Sequence, residues 1–237
     1  MNTDHRWQGK KKAVTFSFDD GAVQDRRVVE ILNRYELKGT FHLNSAYLGL
    51  PYTETFQGIT VDRTRISPKE VRTLYYGHEV AAHTLTHPNL PELSDDAVIW
   101  QVEKDREILS DLCGYEVVGL AYPNGRYTDK TKKLVCEHTG IRYARTAAFT
   151  GNFMRPANVY EIAPTVYHYL HHMDGIAACF QKFLESDVPE PQVFCFFCHS
   201  YEMDFGISIN WQTFEQFCKM VSGNPDIYYG TCSQILL

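Results

Sequence analysis

No apolar run in this 237-residue chain approaches the roughly eighteen residues that a membrane-spanning helix requires. The first twelve residues, MNTDHRWQGKKK, also lack the apolar centre of a secretory signal. A cytoplasmic protein without a membrane partner is therefore expected. A basic excess is missing too. The chain has 23 Lys and Arg against 29 Asp and Glu, a net charge of −6 and a pI near 5.9. That argues against nucleic acid as partner, because phosphate backbones call for a basic face. The one basic run, Lys10-Lys11-Lys12, precedes a strand and reads as the solvated end of a tail. The seven cysteines are scattered and odd in number, which fits reduced thiols better than a disulfide framework. Cys195 and Cys198 form a C-x-x-C, but there is no second such pair to complete a zinc knuckle. On a strand their side chains would face opposite ways, so both read as strand hydrophobes. Repeats and low-complexity linkers are absent as well.

What the chain does have is an ordinary globular balance, 44% hydrophobic and 22% charged, with aromatics at 14% including fifteen Tyr. Such rings fill cores and also stack on sugars. Short apolar strands alternate with amphipathic helices along the sequence. Strands are expected at 13–18 (AVTFSF), 39–44 (GTFHLN), 78–83 (HEVAAH), 116–123 (EVVGLAYP), 142–147 (RYARTA), 192–200 (QVFCFFCHS) and 226–231 (DIYYGT). Helices are expected between them. One opens at Ser67-Pro68 with Glu70 placed for a capping box, and another runs from Ser94 to a stop at Gly114. A long polar loop with Pro51 and Gly58 reaches to about 66. The alternation predicts an α/β fold with a parallel sheet, and its number of units predicts a single-domain barrel, closed or nearly so. Residues 1–12 would be a tail and 13–237 the catalytic domain.

The chemistry-bearing residues fall where strands end, the edge at which barrel enzymes place their sites. GHEVAAHTLTH, residues 77–87, packs four residues of metal-ligand type together. A zinc-protease helix needs His-Glu-x-x-His, whereas His78-Glu79 stand one residue too far from His83. His83 and His87 are four apart, and one helical turn would bring both imidazoles to one side. Asp19-Asp20-Gly21 follows the first strand. Such a triplet is commonly only a turn, yet Asp20 would complete a two-His, one-carboxylate set with open positions, the pattern of a catalytic metal. Zn2+ suits that set best, with Co2+, Ni2+ or Mn2+ as alternatives. His78 and Glu79 would then be scaffold. AYPNG, residues 121–125, makes a tight turn able to expose a backbone N–H. FFCHS ends another strand with His199, a candidate acid or base.

Taken together and in this order, FSFDDG, HTLTH, AYPNG and FFCHS resemble the motifs of the polysaccharide deacetylase family, the NodB-homology carbohydrate esterases, from about residue 13 to 232. The resemblance implies a distorted (β/α) barrel of the NodB-homology type. It implies a metal-dependent hydrolase that removes acetyl groups, N- or O-linked, from an acetylated oligosaccharide or similar small amide. Asp19 would be the general base, Asp20, His83 and His87 the metal ligands, the Tyr122 backbone N–H an oxyanion donor and His199 the general acid. Two departures stand out. Ala121 occupies the family's usual arginine position, and the usual Asp-x-x-Asp-Trp is not recognisable in IRYARTA. Arg145, on that strand, would replace the missing arginine beside Asp19, while Arg142 should face the other side. His199 would need an orienting carboxylate, with Asp174 and Glu202 as the choices.

Pro123, Trp211 and His172 are the expected substrate contacts, with Tyr47, Tyr52 and Phe56 as further stacking rings. YHYLHH offers His168, His171 and His172 either to the cleft, to a second ion or merely to the surface. Two rival readings stand beside the deacetylase. One is a hydrolase of a small cyclic amide or imide on the same barrel. The other is an inactive carbohydrate-binding protein, whose signature would be loss of Asp19 or His199; neither is lost.

Overall fold

The structure, a computed structural model, describes residues 6–237, apart from the side chains of Arg6 and of residues 168–171. His168 and His171 therefore lie outside the described side chains. The strands are β1 (Lys12–Asp19), β2 (Gly39–Leu43), β3 (Thr53–Phe56), β4 (Ile59–Asp62), β5 (Glu79–Ala82), β6 (Gly119–Ala121), β7 (Tyr143–Arg145), β8 (Val166–Tyr167), β9 (Gln192–His199) and β10 (Ile227–Tyr229). The helices are α1 (Asp25–Arg34), α2 (Val71–Leu74), α3 (Asp95–Cys113), α4 (Asp129–His138), α5 (His168–Glu185), α6 (Glu202–Phe205), α7 (Trp211–Val221) and α8 (Cys232–Leu236). The main sheet runs β7-β6-β5-β2-β1-β9-β8, with β10 paired to the start of β1, and all of these pairings are parallel. A parallel bridge between Arg145 and Ile162 continues the curl beyond β7, giving an incompletely closed (β/α) barrel. The expected α/β barrel class is thus the observed one.

Both faces of such a sheet are covered, which is why its strands read as nearly continuous apolar runs. The two faces differ in kind. On β1, Val14, Phe16 and Phe18 belong to the main hydrophobic cluster, and on β9 Phe194, Phe196 and Cys198 do the same. Phe16 and Phe18 meet Phe214 of α7 edge to face, and Phe18 stacks on Phe41 of β2 with centroids 5.2 Å apart. Each buried ring contributes about 1.5–3 kcal/mol of transfer free energy. The alternate residues turn into the barrel. Thr15, Ser17 and Asp19 of β1 lie in register with Cys195, Phe197 and His199 of β9, and Asp19 is also in register with His42 of β2. The two-residue period of a strand therefore assigns Asp19, His42 and His199 to one row across three strands, at their C-terminal ends.

Several local expectations match the structure. Ser67 and Glu70 form the capping box, and Ser94 caps α3, which stops at Gly114 with φ 76°. His78 accepts from the Gly39 N–H at 3.1 Å, and buried Glu79 accepts from Thr40 and Tyr143, so both are scaffold. Gly21 is required where it stands. Its φ is 64°, and an added Cβ would meet Leu43 Cδ2 at 2.6 Å.

Others differ. The polar loop before residue 66 contains the antiparallel β3–β4 hairpin, a two-stranded sheet apart from the main one. Its strands are largely exposed, so they carry no apolar alternation to announce them. The expected tail is only partly separate, since Trp7 is buried against α8 and donates to Ile235 O at 3.1 Å. All seven cysteines are free thiols.

Candidate active site

Asp19 ends β1 inside the barrel, 4% exposed. Its Oδ1 is held by Arg145 Nη2, with His42 Nδ1 at 3.3 Å, and its Oδ2 lies 3.7 Å from His83 Nε2. Burial pushes this carboxyl up, but Arg145, His83 and His42 outweigh burial and hold it well below the usual carboxylate range. Arg145 is itself buried. It donates Nη1 to Thr146 O at 3.0 Å and lies 4.0 Å from the Phe197 ring centroid. β7 is in register with β6 so that Arg145 sits opposite Ala121. The guanidinium reaches Asp19 from the strand beside the position where the usual arginine is absent. Arg142 is exposed, on the opposite parity of the strand.

Asp20 follows with φ 82°, a left-handed conformation that turns its carboxylate away from Asp19. Arg63 Nη2 takes Oδ2, Arg65 Nη2 stands 3.3 Å from Oδ1, and Arg65 Nη1 donates to the Asp20 carbonyl at 2.6 Å. Burial opposes ionisation of Asp20, but Arg65, His199 and Arg63 hold its carboxyl far below the usual range.

His83 and His87 meet with ring centroids 4.6 Å apart and planes 76° to one another. A helical turn does not bring them together, contrary to the expectation. They lie on an irregular loop after β5, bent by Thr84 at φ 68° and His87 at φ 55°. Asp105 of α3, fully buried, anchors this loop by accepting from the N–H groups of His83 at 3.0 Å and Ser45 at 2.7 Å. His83 Nδ1 faces the Ala121 carbonyl at 2.8 Å. A carbonyl only accepts, so Nδ1 carries the proton and Nε2 keeps its lone pair for a ligand. Burial lowers the His83 pKa to about 3, and it lowers that of His87 as well, so neither ring needs to lose a proton to coordinate.

One ligand-type atom from each of Asp20, His83 and His87 lies within 4.8 Å of the others. Asp20 Oδ1 has no hydrogen-bond partner among the described residues, although it is buried. Two neutral imidazoles and a carboxylate with one oxygen outside any hydrogen bond fit a divalent cation of the borderline type.

His199 ends β9, in register with Asp19. Its Nδ1 lies 3.1 Å from Glu202 Oε2, which also accepts the His199 backbone N–H at 3.0 Å. Tyr167 OH donates to the other oxygen of Glu202 at 3.0 Å. Glu202 is therefore the orienting carboxylate, while Asp174 is exposed on α5. His199 Nε2 points inward, 3.9 Å from Asp20 Oδ2. Burial lowers the pKa of His199, but Glu202, Asp20 and Asp19 reverse this and raise it to about 9.

Other expected positions are placed differently. The Tyr122 N–H donates to Arg145 O at 2.9 Å within the sheet, so it is already engaged and does not face a substrate. Buried Pro123 carries no N–H, so the next one of the turn belongs to Asn124, whose φ is 55°. Trp211 is not an open platform. Arg27 covers its ring at 4.5 Å, and its Nε1 donates to Asp204 at 2.6 Å. Phe56 packs on Phe205. His172 is exposed at a kink of α5, φ 45°, and does not line the cavity that holds Asp20 and His87. Tyr47 and Tyr52 do line it.

The site also contains residues not foreseen: His42, Arg63, Arg65 and Asp105. His42 had a signal, since it is polar in the middle of the apolar GTFHLN and shares its strand-end level with Asp19. Arg63 and Arg65 are two apart in an extended stretch, but nothing local says which way that stretch folds.

The strand ends of a parallel α/β barrel thus gather a carboxylate-imidazole cluster of metal-ligand type, a second carboxylate and a further histidine, an arrangement suited to hydrolysis. The profile of the polysaccharide deacetylase family matches residues 7–144, more than half the chain, and the protein belongs to that family. It is 30% identical over 129 residues to a peptidoglycan-N-acetylglucosamine deacetylase from Bacillus cereus, a match that spans 54% of this chain and 42% of that protein. Among solved structures, a candidate polysaccharide deacetylase from Mycobacterium smegmatis superposes with a TM-score of 0.70 at 18% identity, over 96% of this chain and 89% of that one. A family 4 carbohydrate esterase from Streptomyces lividans, in complex with acetate, gives 0.59 at 15% identity, over 93% of both chains. A family 4 pseudoenzyme from Bacillus anthracis gives 0.55 at 18%, over 96% of this chain and 66% of that one. These structural likenesses establish the shared fold. No helix among the described residues is long and apolar enough to cross a membrane.

Proposed function

We propose that this protein is a metal-dependent hydrolase that removes an acetyl group from a carbohydrate or a carbohydrate-like molecule. The observation that carries the reading is the convergence of Asp20, His83 and His87 beside an arginine-held Asp19. These three residues would hold one divalent ion, zinc by preference. When bound there, such an ion supplies a Lewis acid for the acetyl carbonyl and promotes ionisation of water.

The chain's own groups supply the rest. Asp19 accepts the proton of the attacking water, and Arg145 fixes the direction of its lone pairs. The tetrahedral centre gathers negative charge, and the Asn124 backbone N–H is the donor of the AYPNG turn suited to meet it. His199, oriented through Nδ1 by Glu202, gives its Nε2 proton to the departing amine or alkoxide. His42 closes the far side of Asp19, and the apolar packing behind β1 and β9 keeps bulk water from the row. What supports an enzyme over an inactive binding protein is that Asp19 and His199 both face the Asp20, His83 and His87 cluster.

The test is to assay the protein, stripped by chelator and reloaded with Zn, Co, Ni or Mn, against acetylated oligosaccharides, small N-acetyl amides and cyclic imides. Release of acetate that depends on the metal is expected. Elemental analysis should find one ion per chain, lost in the His83→Ala, His87→Ala double variant. Ordinary metal content in that variant, or turnover of cyclic imides alone, would refute the reading.

A further inference from the structure

Arg63 and Arg65 leave the β3–β4 hairpin on one face of an extended segment and enter the site together. Arg63 is divided between Asp20 and Glu54, and its guanidinium carbon lies 4.2 Å from the Tyr201 ring centroid. Its Nε is buried and has no partner among the described residues. Arg65 spends Nη1 on the Asp20 carbonyl, and its Nη2 stands 3.3 Å from Asp20 Oδ1 in an ion pair outside hydrogen-bond geometry. The two arginines line a cavity of about 450 Å³ with Tyr47, Tyr52, Thr86 and His87, adjoining the metal set. That volume accommodates a sugar ring with a substituent.

The charges of this wall balance only without a metal. Arg63 and Arg65 are matched by Asp20 and Glu54, while Asp19 is already matched by Arg145. A divalent ion on Asp20 leaves two positive charges in surplus, in a cavity whose arginines are only 16% and 10% exposed. An ion held through Asp20 Oδ1 would compete with the ion pair that this oxygen makes with Arg65. A neutral acetylated sugar would bring no charge of its own to offset that surplus. An anion beside the guanidinium fork would complete it, because planar guanidinium groups bind carboxylate and phosphate oxygens well.

We propose that this cavity is a subsite for an anionic substituent, a carboxylate or a phosphate ester, carried by the acetylated sugar. The inference deepens the deacetylase reading and rests on its metal site. It gives Arg65, with Arg63 behind it, a specificity-determining role in addition to the hold that both have on Asp20.

Equilibrium binding tests it without turnover. Zinc-loaded protein is titrated calorimetrically with glucose, glucuronate and glucose 6-phosphate, none of which has an acetyl group. At least one acid should bind about tenfold more tightly than glucose, equivalent to about 1.4 kcal/mol. Which acid binds distinguishes carboxylate from phosphate. The preference should shrink at high salt and fall toward unity in Arg65→Gln while one zinc per chain is retained. If Arg65→Gln does not fold, Arg65→Lys should still lower the ratio, since one ammonium does not reproduce the fork. Equal binding of all three sugars overturns the proposal. So does a preference that persists in both Arg65→Lys and the Arg63→Gln, Arg65→Gln double variant, since the anion would then sit on the metal. A protein without deacetylase activity can pass this test, and an active deacetylase can fail it, so the two readings fail separately.

Discussion

Removing the Arg145 guanidinium exposes how much the site depends on a single buried pair. In Arg145→Met the side-chain volume is nearly kept, but Asp19 loses its arginine and retains only His42 at 3.3 Å and His83 at 3.7 Å. Both members of the pair are almost fully buried, so solvent screening gives little relief. Breaking such a pair from one side costs about 3–5 kcal/mol. For a chain of this length that lowers Tm by on the order of 10 °C. In an Asp19→Asn background the same change should cost almost nothing or even stabilise, because Arg145 is then the uncompensated charge. The double-mutant cycle, read by urea denaturation of chelator-treated protein, should therefore give a coupling of about 3 kcal/mol. Arg145→Lys keeps the charge but loses the fork. It should recover most of the stability while kcat falls by roughly tenfold to a hundredfold and KM moves little, as expected for a misdirected base. If Arg145→Met costs the same with Asp19 and with Asn at that position, the two residues are not coupled and the positioning role is wrong.

His199→Ala should impair hydrolysis of an N-acetyl amide far more than that of an acetylated nitrophenol, whose leaving group departs without a proton; equal losses in steady-state rates would exclude the acid role. Asp25, fully buried in α1, accepts from Tyr75 OH at 2.6 Å, and burial raises its pKa from 3.8 to about 7. Its folded state holds the proton more tightly than the unfolded state. Its contribution is thus complete below pH 4 and is lost as pH rises through about 7, a change on the order of 4 kcal/mol. Asp25→Asn should flatten the stability difference between pH 4 and pH 8 relative to the parent in urea titrations; an unchanged slope would show that this carboxyl is ionised throughout.

Much of this was legible in the sequence because strand periodicity links residues that are far apart. The alternation in AVTFSFDD and QVFCFFCHS already places Asp19 and His199 on the interior side of their strands. The same parity separates Arg145 from Arg142. Glu202 could be named only as one of two carboxylates, because the short α6 that carries it has no periodicity of its own. The AYPNG motif points to the N–H of Tyr122, one residue before the proline, as the oxyanion donor. The structure uses that N–H in the β6–β7 ladder, a pairing that depends on register and not on composition. A spacing of four points to a helical turn for the histidine pair, because it has that meaning in a helix. Here two left-handed residues do the same work. Arg63 and Arg65 were out of reach for a different reason: a solvent-exposed hairpin has no apolar pattern, so its direction is decided by the ion pairs it makes at the end.

Three of the non-glycine residues at positive φ, namely Asp20, Thr84 and His87, stand in the candidate site. An L-residue in that region costs about 1 kcal/mol, and glycine would relieve it. The site is therefore held in shape by the barrel beneath it and works against the local preference of its own backbone. Asp20→Gly or His87→Gly would relax the turn and delete a proposed ligand in the same step. At these positions gains in stability and losses of function are the same substitution. Screens for a more heat-resistant variant would select against the site unless activity is scored alongside.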